Sequence, residues 1–214
     1  RGLSPVLAGR DPNRIHALGS ELDCRSRAFA LDGDVDAQLS GIRTVLNCAG
    51  PFEDTADPFV EACLNQGVDY LDLTGELPVF ERLARRDAEA SAAGITLLPG
   101  VGYDVVPTDC LAAHLRDRLP EATHLSLALS ASGSLSAGTL KTLLRGVGSG
   151  GAIRENGTLR HIRSASKTRV VDFGSESRTV VSVPWGDVST AYYTTDIPNI
   201  AVYAALPDAV RHAI

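Results

Sequence analysis

The stretch that most constrains the fold is an apolar strand signal that ends abruptly in small residues. Thr44-Val45-Leu46 is short, apolar and β-branched, as in a strand of a buried parallel sheet. It leads into Asn47-Cys48-Ala49-Gly50-Pro51, whose small residues let the backbone lie against a flat ligand. Ligands of doubly wound sheets bind outside the carboxyl ends of the strands. The sequence therefore predicts that this loop lines a binding crevice.

The same pattern of a strand followed by a small-residue loop occurs three more times. These loops are Ala8-Gly9-Arg10, Leu73-Thr74-Gly75-Glu76 and the segment 99–104. Helix signals lie between the strands, at residues 11–22, 34–40, 58–66, 78–92 and 107–119. Alternation of strands and helices with short connections indicates parallel strands joined by crossover helices. We therefore expect a Rossmann-type, doubly wound α/β domain over residues 1–121.

One element of such a domain has no counterpart in the sequence. Dinucleotide-binding domains open with a strand and a glycine-rich turn, where the pyrophosphate sits at a helix N-terminus. No Gly-x-Gly-x-x-Gly precedes Pro5, and residues 5–10 look like a second strand without its first. The first strand and the glycine-rich loop are thus expected to be missing from this chain.

After Pro120 the sequence becomes richer in strand signals. Asn156-Gly157 lies between two strand-like runs and is a strong hairpin signal. We predict a second, α+β domain over residues 122–197 with a mixed or antiparallel sheet, which supplies substrate and dimer surfaces. Residues 198–214 are predicted as a C-terminal segment that could return to the first domain. The other predicted elements are a strand over 124–131, a Ser/Gly loop over 130–138, a helix over 139–147, and strands over 169–173 and 179–183.

Composition excludes several classes of partner. The 214 residues carry 20 basic and 26 acidic side chains, a net charge of −6, which argues against nucleic-acid binding. No apolar run approaches the roughly 18 residues of a membrane span. The four cysteines are scattered, without zinc spacing, so we expect reduced thiols, no metal and a cytoplasmic protein.

The end of the first strand suggests a preference between the two nicotinamide dinucleotides. An acidic residue at this position would bind the 2′-hydroxyl of NAD, whereas an arginine suits the 2′-phosphate of NADP. Here Arg10 follows Gly9, and Arg14 lies one helical turn further on. NADP(H) is therefore the predicted cofactor, with solvated arginines beside a helix cap as the alternative. Asp32, at the next strand end, is predicted either to touch the adenine or to cap the short acidic helix.

The loop after the central strand is the candidate ribose and nicotinamide surface. Asn47, Ala49 and Gly50 would line it, with Pro51 and Phe52 completing the loop. The alternative is that Gly50-Pro51 is only a tight turn, which leaves the run of small residues unexplained.

Two further loops hold groups that could handle a proton. Thr74, Gly75 and Glu76 form the first, and Glu76 could act as an acid or base, bind ribose, or cap the following helix. The second contains Tyr103 and Asp104, the expected catalytic pair, with Asp104 as a plain loop acceptor the alternative.

Several motifs together resemble those of the saccharopine dehydrogenase-like oxidoreductases. The motifs are Asn47–Phe52, Ala62-Cys63, Gly67–Glu76, Gly100–Asp109, Gly138-Thr139, Pro184-Trp185-Gly186-Asp187 and Ile197-Pro198-Asn199. The later motifs are similar to a bacterial group that includes the trans-acting enoyl reductases of mycobacterial lipid synthesis. The resemblance implies an NADP-binding domain, a mixed second domain and oxidoreductase activity on an unidentified small-molecule or lipid-linked substrate, in a homodimer.

The resemblance also bears on the substrate side of the crevice. Gly102 and Trp185 would lie there, although a packing role for Trp185 is an equal alternative. Hydride transfer to or from a C=N, C=O or C=C bond is the predicted reaction. The alternatives are a dinucleotide-binding sensor without turnover and a scaffold that binds no cofactor.

Overall fold

The computed structural model describes residues 3–130 and 150–206. Its first half confirms the predicted alternation of strands and helices. The elements are β1 (Val6–Gly9), α1 (Pro12–Glu21), β2 (Arg25–Ala28), α2 (Val35–Gln38), β3 (Thr44–Asn47), α3 (Phe52–Gln66), β4 (Asp69–Asp72), α4 (Leu77–Ala84), α5 (Asp87–Ala93) and β5 (Leu97–Leu98).

The strands of this half form two parallel sheets. β1 pairs with β2, and β3, β4 and β5 form a three-stranded sheet in that order. Within the described residues the two sheets do not pair with each other, so β1 and β3 each have an unpaired edge. Parallel β–α–β units followed by a largely antiparallel sheet confirm the predicted fold class.

The three-stranded sheet is covered on one face. Val45, Tyr70 and Leu97 are in register on that face and pack with α3 and α4, for example with Phe59 and Val79. On the other face Leu46 is 55% exposed and Leu98 is 49% exposed. The expectation of a fully buried strand at residues 44–46 is therefore wrong for Leu46, because no described helix covers that side.

Two helix boundaries differ from the prediction. The helix expected from residue 58 begins at Phe52, with Pro58 inside it, because a carboxylate from another loop accepts its first backbone N–H groups. The single helix expected over 78–92 is interrupted between α4 and α5. At the interruption Arg86 leaves helical geometry, and its guanidinium pairs with Glu61 on α3 at 2.8 Å.

The second half is built around one mixed sheet. Its elements are α6 (Val106–Arg118), β6 (His124–Leu129), β7 (Gly151–Glu155), β8 (Thr158–Ile162), β9 (Thr168–Asp172), β10 (Ser177–Ser182), α7 (Asp187–Thr195) and β11 (Asn199–Ala204). β11 pairs in parallel with β6 along its whole length, and on its other edge it is antiparallel to β10 and β7. Asn156 and Gly157 both have positive φ, which confirms the predicted hairpin turn between β7 and β8.

Other predictions for this half missed elements that the structure shows, or fall on residues that the structure does not describe. α7 and β11 were not predicted, and residues 199–204 continue the second sheet, while residues 207–214 of the predicted C-terminal segment lie outside the described residues. The predicted Ser/Gly loop beyond Ser130 and the helix over 139–147 lie outside the described residues. None of the described helices is long and apolar enough to cross a membrane.

A buried arginine joins the two halves. Arg154 on β7 is 5% exposed, and its Nη2 lies 2.6 Å from Glu81 Oε1 on α4. Its Nε donates to the Val188 carbonyl at 3.1 Å, and its guanidinium lies 4.2 Å from the ring centroid of Tyr192. Ser189 Oγ donates to the same Glu81 oxygen at 2.7 Å. This cluster fixes α4 against α7 and the second sheet.

Candidate functional site

A buried polar network lies at the carboxyl ends of β3 and β4. Asn47 Nδ2 donates to Thr55 Oγ1 at 3.1 Å and to the Tyr70 hydroxyl oxygen at 3.2 Å. Asn47 Oδ1 accepts from the backbone N–H of Ala49 at 2.9 Å, and Thr55 Oγ1 donates to the Ala49 carbonyl at 2.6 Å. The amide of Asn47 thus shapes the small-residue loop, in which the Gly50–Pro51 peptide bond is cis.

Asp72 connects this network to the next two loops. Its Oδ2 accepts from the Tyr70 hydroxyl at 2.9 Å, and its Oδ1 accepts from the backbone N–H groups of Thr74 (3.0 Å) and Gly100 (2.8 Å). Burial raises the pKa of Asp72, and these three hydrogen bonds oppose the rise. Burial, with the charge of Asp72, also raises the pKa of Tyr70. One carboxylate therefore holds the loops after β3, β4 and β5 together.

Glu76 is a structural cap. Its carboxylate accepts from the backbone N–H of Phe52 at 3.1 Å and of Glu53 at 2.7 Å, at the first turn of α3. A negative charge at a helix N-terminus is favourable. Glu76 therefore caps α3, which precedes it in the chain, and not the helix that follows it. With both oxygens engaged, Glu76 is poorly suited to the acid–base role that the sequence allowed.

The loop after β5 reaches the second half of the chain. Trp185 Nε1 donates to the Asp104 carbonyl at 3.0 Å, and the backbone of Trp185 forms a β-bridge with Glu76. A Cβ on Gly75 would lie 3.6 Å from Asp104 Oδ2. Partial burial raises the pKa of Asp104. Trp185 thus meets both loops, and it also packs against the core of the second half.

The two members of the predicted catalytic pair differ in their surroundings. Tyr103 is 90% exposed, whereas the Asp104 carboxylate lies beside Gly75. Gly102, predicted on the substrate side, lies against Leu73, where an added Cβ would make ordinary contact at 3.5 Å. Of the predicted catalytic pair, Asp104 is the member that the structure places beside a neighbouring loop.

Phe80 on α4 packs between two site loops, and it was not among the residues selected from the sequence. It is 3% exposed. A Cβ on Gly100 would lie 2.5 Å from Phe80 Cζ, and a Cβ on Gly186 would lie 2.5 Å from Phe80 Cε2. Because residues 100 and 186 are both glycines, the two site loops that contain them can pack closely against the ring of Phe80. The spacing of Val79 and Leu83 marked the apolar face of α4 but gave no sign of this contact.

The predicted adenosine end lies on the other sheet. Gly9 ends β1 and packs on Ile15, and its carbonyl accepts from Phe29 N. Arg10 and Arg14 are exposed, and neither has an ion-pair partner among the described residues, so both guanidinium groups are free to bind an anion. Asp32 is exposed and does not cap the short acidic helix α2, because Asp34 accepts from Ala37 N there.

Comparison with known proteins agrees with this geometry. A probable mitochondrial saccharopine dehydrogenase-like oxidoreductase of Arabidopsis thaliana is 33% identical over 120 residues, covering 50% of this chain and 26% of the relative. A saccharopine dehydrogenase-like oxidoreductase of Mus musculus is 27% identical over 157 residues, covering 70% and 35%. The chain is related to the saccharopine dehydrogenase-like oxidoreductases. The resemblance inferred from the motifs is thereby confirmed.

A further sequence comparison finds an enoyl reductase, and a structural comparison finds the same fold in a solved structure. A trans-acting enoyl reductase of Mycobacterium ulcerans is 32% identical over 124 residues, covering 54% of the chain and 30% of that protein. The structure of saccharopine dehydrogenase (L-Glu forming) from Saccharomyces cerevisiae superposes with a TM-score of 0.65 at 12% identity, over 93% of this chain and 48% of that one. No protein-family model matches the chain. The chain spans about a quarter to a third of the length of these curated relatives.

Proposed function

We propose that the chain is part of an NADP(H)-dependent oxidoreductase, in which the crevice at the carboxyl ends of β3, β4 and β5 holds the reacting end of the cofactor. The observation that supports this most is the buried network centred on Asp72, which joins three small-residue loops at one edge of a parallel sheet. Such edges are where dinucleotides bind in doubly wound folds. The names of the relatives, which include oxidoreductases and enoyl reductases, support the same reaction class.

The residues present fit a dinucleotide in two places. Ala49 and Gly50 offer exposed backbone in the loop that the buried Asn47 amide shapes, and Arg10 and Arg14 offer two exposed cations after β1 and in the first turn of α1. An arginine at that position suits a 2′-phosphate, because a guanidinium can donate two hydrogen bonds to phosphate oxygens. The redox chemistry would be supplied by the bound cofactor. The protein would contribute position and the exclusion of water.

NADPH binding by the full protein tests this proposal. We expect NADPH to bind more tightly than NADH, and Arg10→Ala to weaken NADPH binding about tenfold or more, since a charge-assisted hydrogen bond contributes about 1.5–3 kcal/mol. Arg43→Ala is the matched control, because Arg43 is also exposed but lies at the amino end of β3, away from the strand ends that form the crevice. Equal loss in both variants, or no binding of either cofactor, would contradict the proposal.

A dinucleotide-binding protein without turnover is the second candidate. It is favoured by the engagement of both Glu76 oxygens at the start of α3 and by the exposure of Tyr103. A screen of imines, carbonyl compounds and enoyl thioesters with NADPH separates the two. Oxidation of NADPH by any of them supports the enzyme, and tight binding with no turnover supports the sensor. Cytoplasmic location, a homodimer and the small-molecule or lipid-linked substrate stay predictions.

A further inference from the structure

An aspartate is buried directly behind the crevice. Asp187 begins α7 and is fully buried. Its Oδ1 accepts from Thr108 Oγ1 at the first turn of α6, and its Oδ2 is buried with no hydrogen-bond partner among the described residues. A buried carboxylate oxygen without a partner is costly, so this group calls for an explanation.

A second carboxyl group faces the same contact between helices. Asp109 Oδ2 accepts from Thr194 Oγ1 at 2.7 Å, while Asp109 Oδ1 is buried and also lacks a partner in the described part of the chain. Residues 187, 190 and 194 share one face of α7, and the Thr108 and Thr194 contacts turn that face towards the start of α6. Both unpartnered carboxylate oxygens therefore lie in the contact between α6 and α7.

The charges around Asp187 are all of one sign. Asp109 and Asp104 both act on it electrostatically, and no Lys, Arg or His of the described residues forms an ion pair with it. Burial is the largest cause that raises the pKa of Asp187 to about 6, and the hydrogen bond from Thr108 opposes the rise. No group of three or more His, Cys, Asp or Glu in the described residues could hold a metal ion. A proton on Asp187 is thus the simplest way to satisfy its unpartnered oxygen.

The same aspartate is tied to the site loop from two directions. Asp187 follows Trp185 by two residues, and Trp185 Nε1 donates to the Asp104 carbonyl at 3.0 Å. Thr108, which donates to Asp187, lies four residues after Asp104 in the chain. The Trp185 contact joins the loop between β5 and α6 to the segment before α7, and the Thr108 contact joins the first turn of α6 to the start of α7.

We propose that Asp187 is a positioning residue of the crevice, and that it holds a proton while Trp185 stays hydrogen-bonded to the Asp104 carbonyl. Loss of that proton puts a further negative charge beside Asp109 and Asp104, which loosens α7 from the site loop. The positioning role rests on the proposed function, because it concerns the loop that would face the substrate. The titration itself does not depend on any cofactor or reaction.

The fluorescence of Trp185 reports this titration directly, because Trp185 is the only tryptophan in the sequence. We expect the emission of the wild-type chain to change with a midpoint near pH 6, and the change to disappear in Asp187→Asn. Asp172→Asn, at an exposed position on β9, is the control and should keep the transition. Asp104→Asn should also keep it, since Asp104 offers Trp185 its backbone carbonyl. A transition that persists in Asp187→Asn, or that vanishes in Asp104→Asn, would overturn the proposal.

A second variant keeps the test decisive if Asp187→Asn does not fold, which far-UV circular dichroism would show. Thr108→Val removes the hydrogen bond that favours the ionised aspartate, so the midpoint should move to higher pH. An unchanged midpoint would refute the assignment. If NADPH fails to bind while the transition behaves as described, the proposed function fails and the titration of Asp187 stands.

Discussion

The packing of two glycines on Phe80 allows a quantitative prediction. Gly100 has φ +74°, and a Cβ there would lie 2.5 Å from Phe80 Cζ. Gly100→Ala therefore combines a left-handed backbone, which costs an L-residue about 1–2 kcal/mol, with overpacking, which costs about 1–3 kcal/mol. We expect a loss of about 2–5 kcal/mol in the free energy of unfolding. Gly186→Ala has only the overpacking cost, about 1–3 kcal/mol, because its φ is −52°.

Gly94 provides a matched control for the backbone cost alone. It has φ +67°, and a Cβ there would meet nothing within 4 Å. Gly94→Ala should therefore lose only about 1–2 kcal/mol. Urea unfolding followed by far-UV circular dichroism measures all three variants against the wild-type chain. Gly100→Ala should lose more free energy of unfolding than either Gly94→Ala or Gly186→Ala.

Phe80→Leu identifies the source of the difference. Leucine lacks the ring atoms that would lie 2.5 Å from a Cβ added at either glycine, so in the Phe80→Leu background Gly186→Ala should cost almost nothing. Gly100→Ala should retain about 1–2 kcal/mol in that background, the same as Gly94→Ala, because its backbone strain remains. If Phe80→Leu restores stability in neither glycine variant, contact with the Phe80 ring is not the cause of the loss. Complete rescue of Gly100→Ala would refute the backbone part.

Three further outcomes follow from buried polar groups. Tyr70→Phe leaves an oxygen of Asp72 without its donor and should cost about 1–3 kcal/mol in urea unfolding; a loss below about 0.5 kcal/mol would show that the network is not needed. Arg154→Met leaves Glu81 without its ion-pair partner and should cost about 3–5 kcal/mol, of which Glu81→Gln in the same chain should recover a part. Burial raises the pKa of Asp187 from 3.8 to about 6, so its contribution to stability is present below pH 3.8 and is lost as pH rises through 6. The loss in the free energy of unfolding is about 3 kcal/mol. Unfolding measured from pH 4 to 8 should show this pH-dependent loss, and the loss should be absent in Asp187→Asn.

Local signals in the sequence were sufficient for most of the fold. Period-2 and helical patterns located the strands and helices, and Asn156-Gly157 gave the hairpin, because its positive φ values need those residues. The start of α3 was missed because its cap, Glu76, lies 24 residues away in the chain. No local rule could give that contact, and Asp57-Pro58 offered a plausible false start.

The candidate site was predictable only in part. Parallel pairing brought the loops after β3, β4 and β5 to one edge, as the strand-end argument requires. The groups that hold them there, Tyr70 and Asp72, looked like ordinary strand residues, since burial and partners decide their role. Asp187 was visible as part of a motif, but its burial against Thr108 depends on how α6 packs on α7.

The position of β11 affects how the second half can form during synthesis. It follows every other described strand of its sheet in the chain, yet it lies between β6 on one edge and β7 and β10 on the other. Until β11 leaves the ribosome, the apolar side chains of β6, such as Leu125 and Leu127, have no neighbouring strand to complete their layer. Long-range pairing of this kind is slow and leaves apolar surface open to aggregation. A chain stopped before Asn199 would therefore hold two unjoined pieces of sheet, and would be a target for chaperones and proteases rather than a smaller folded protein.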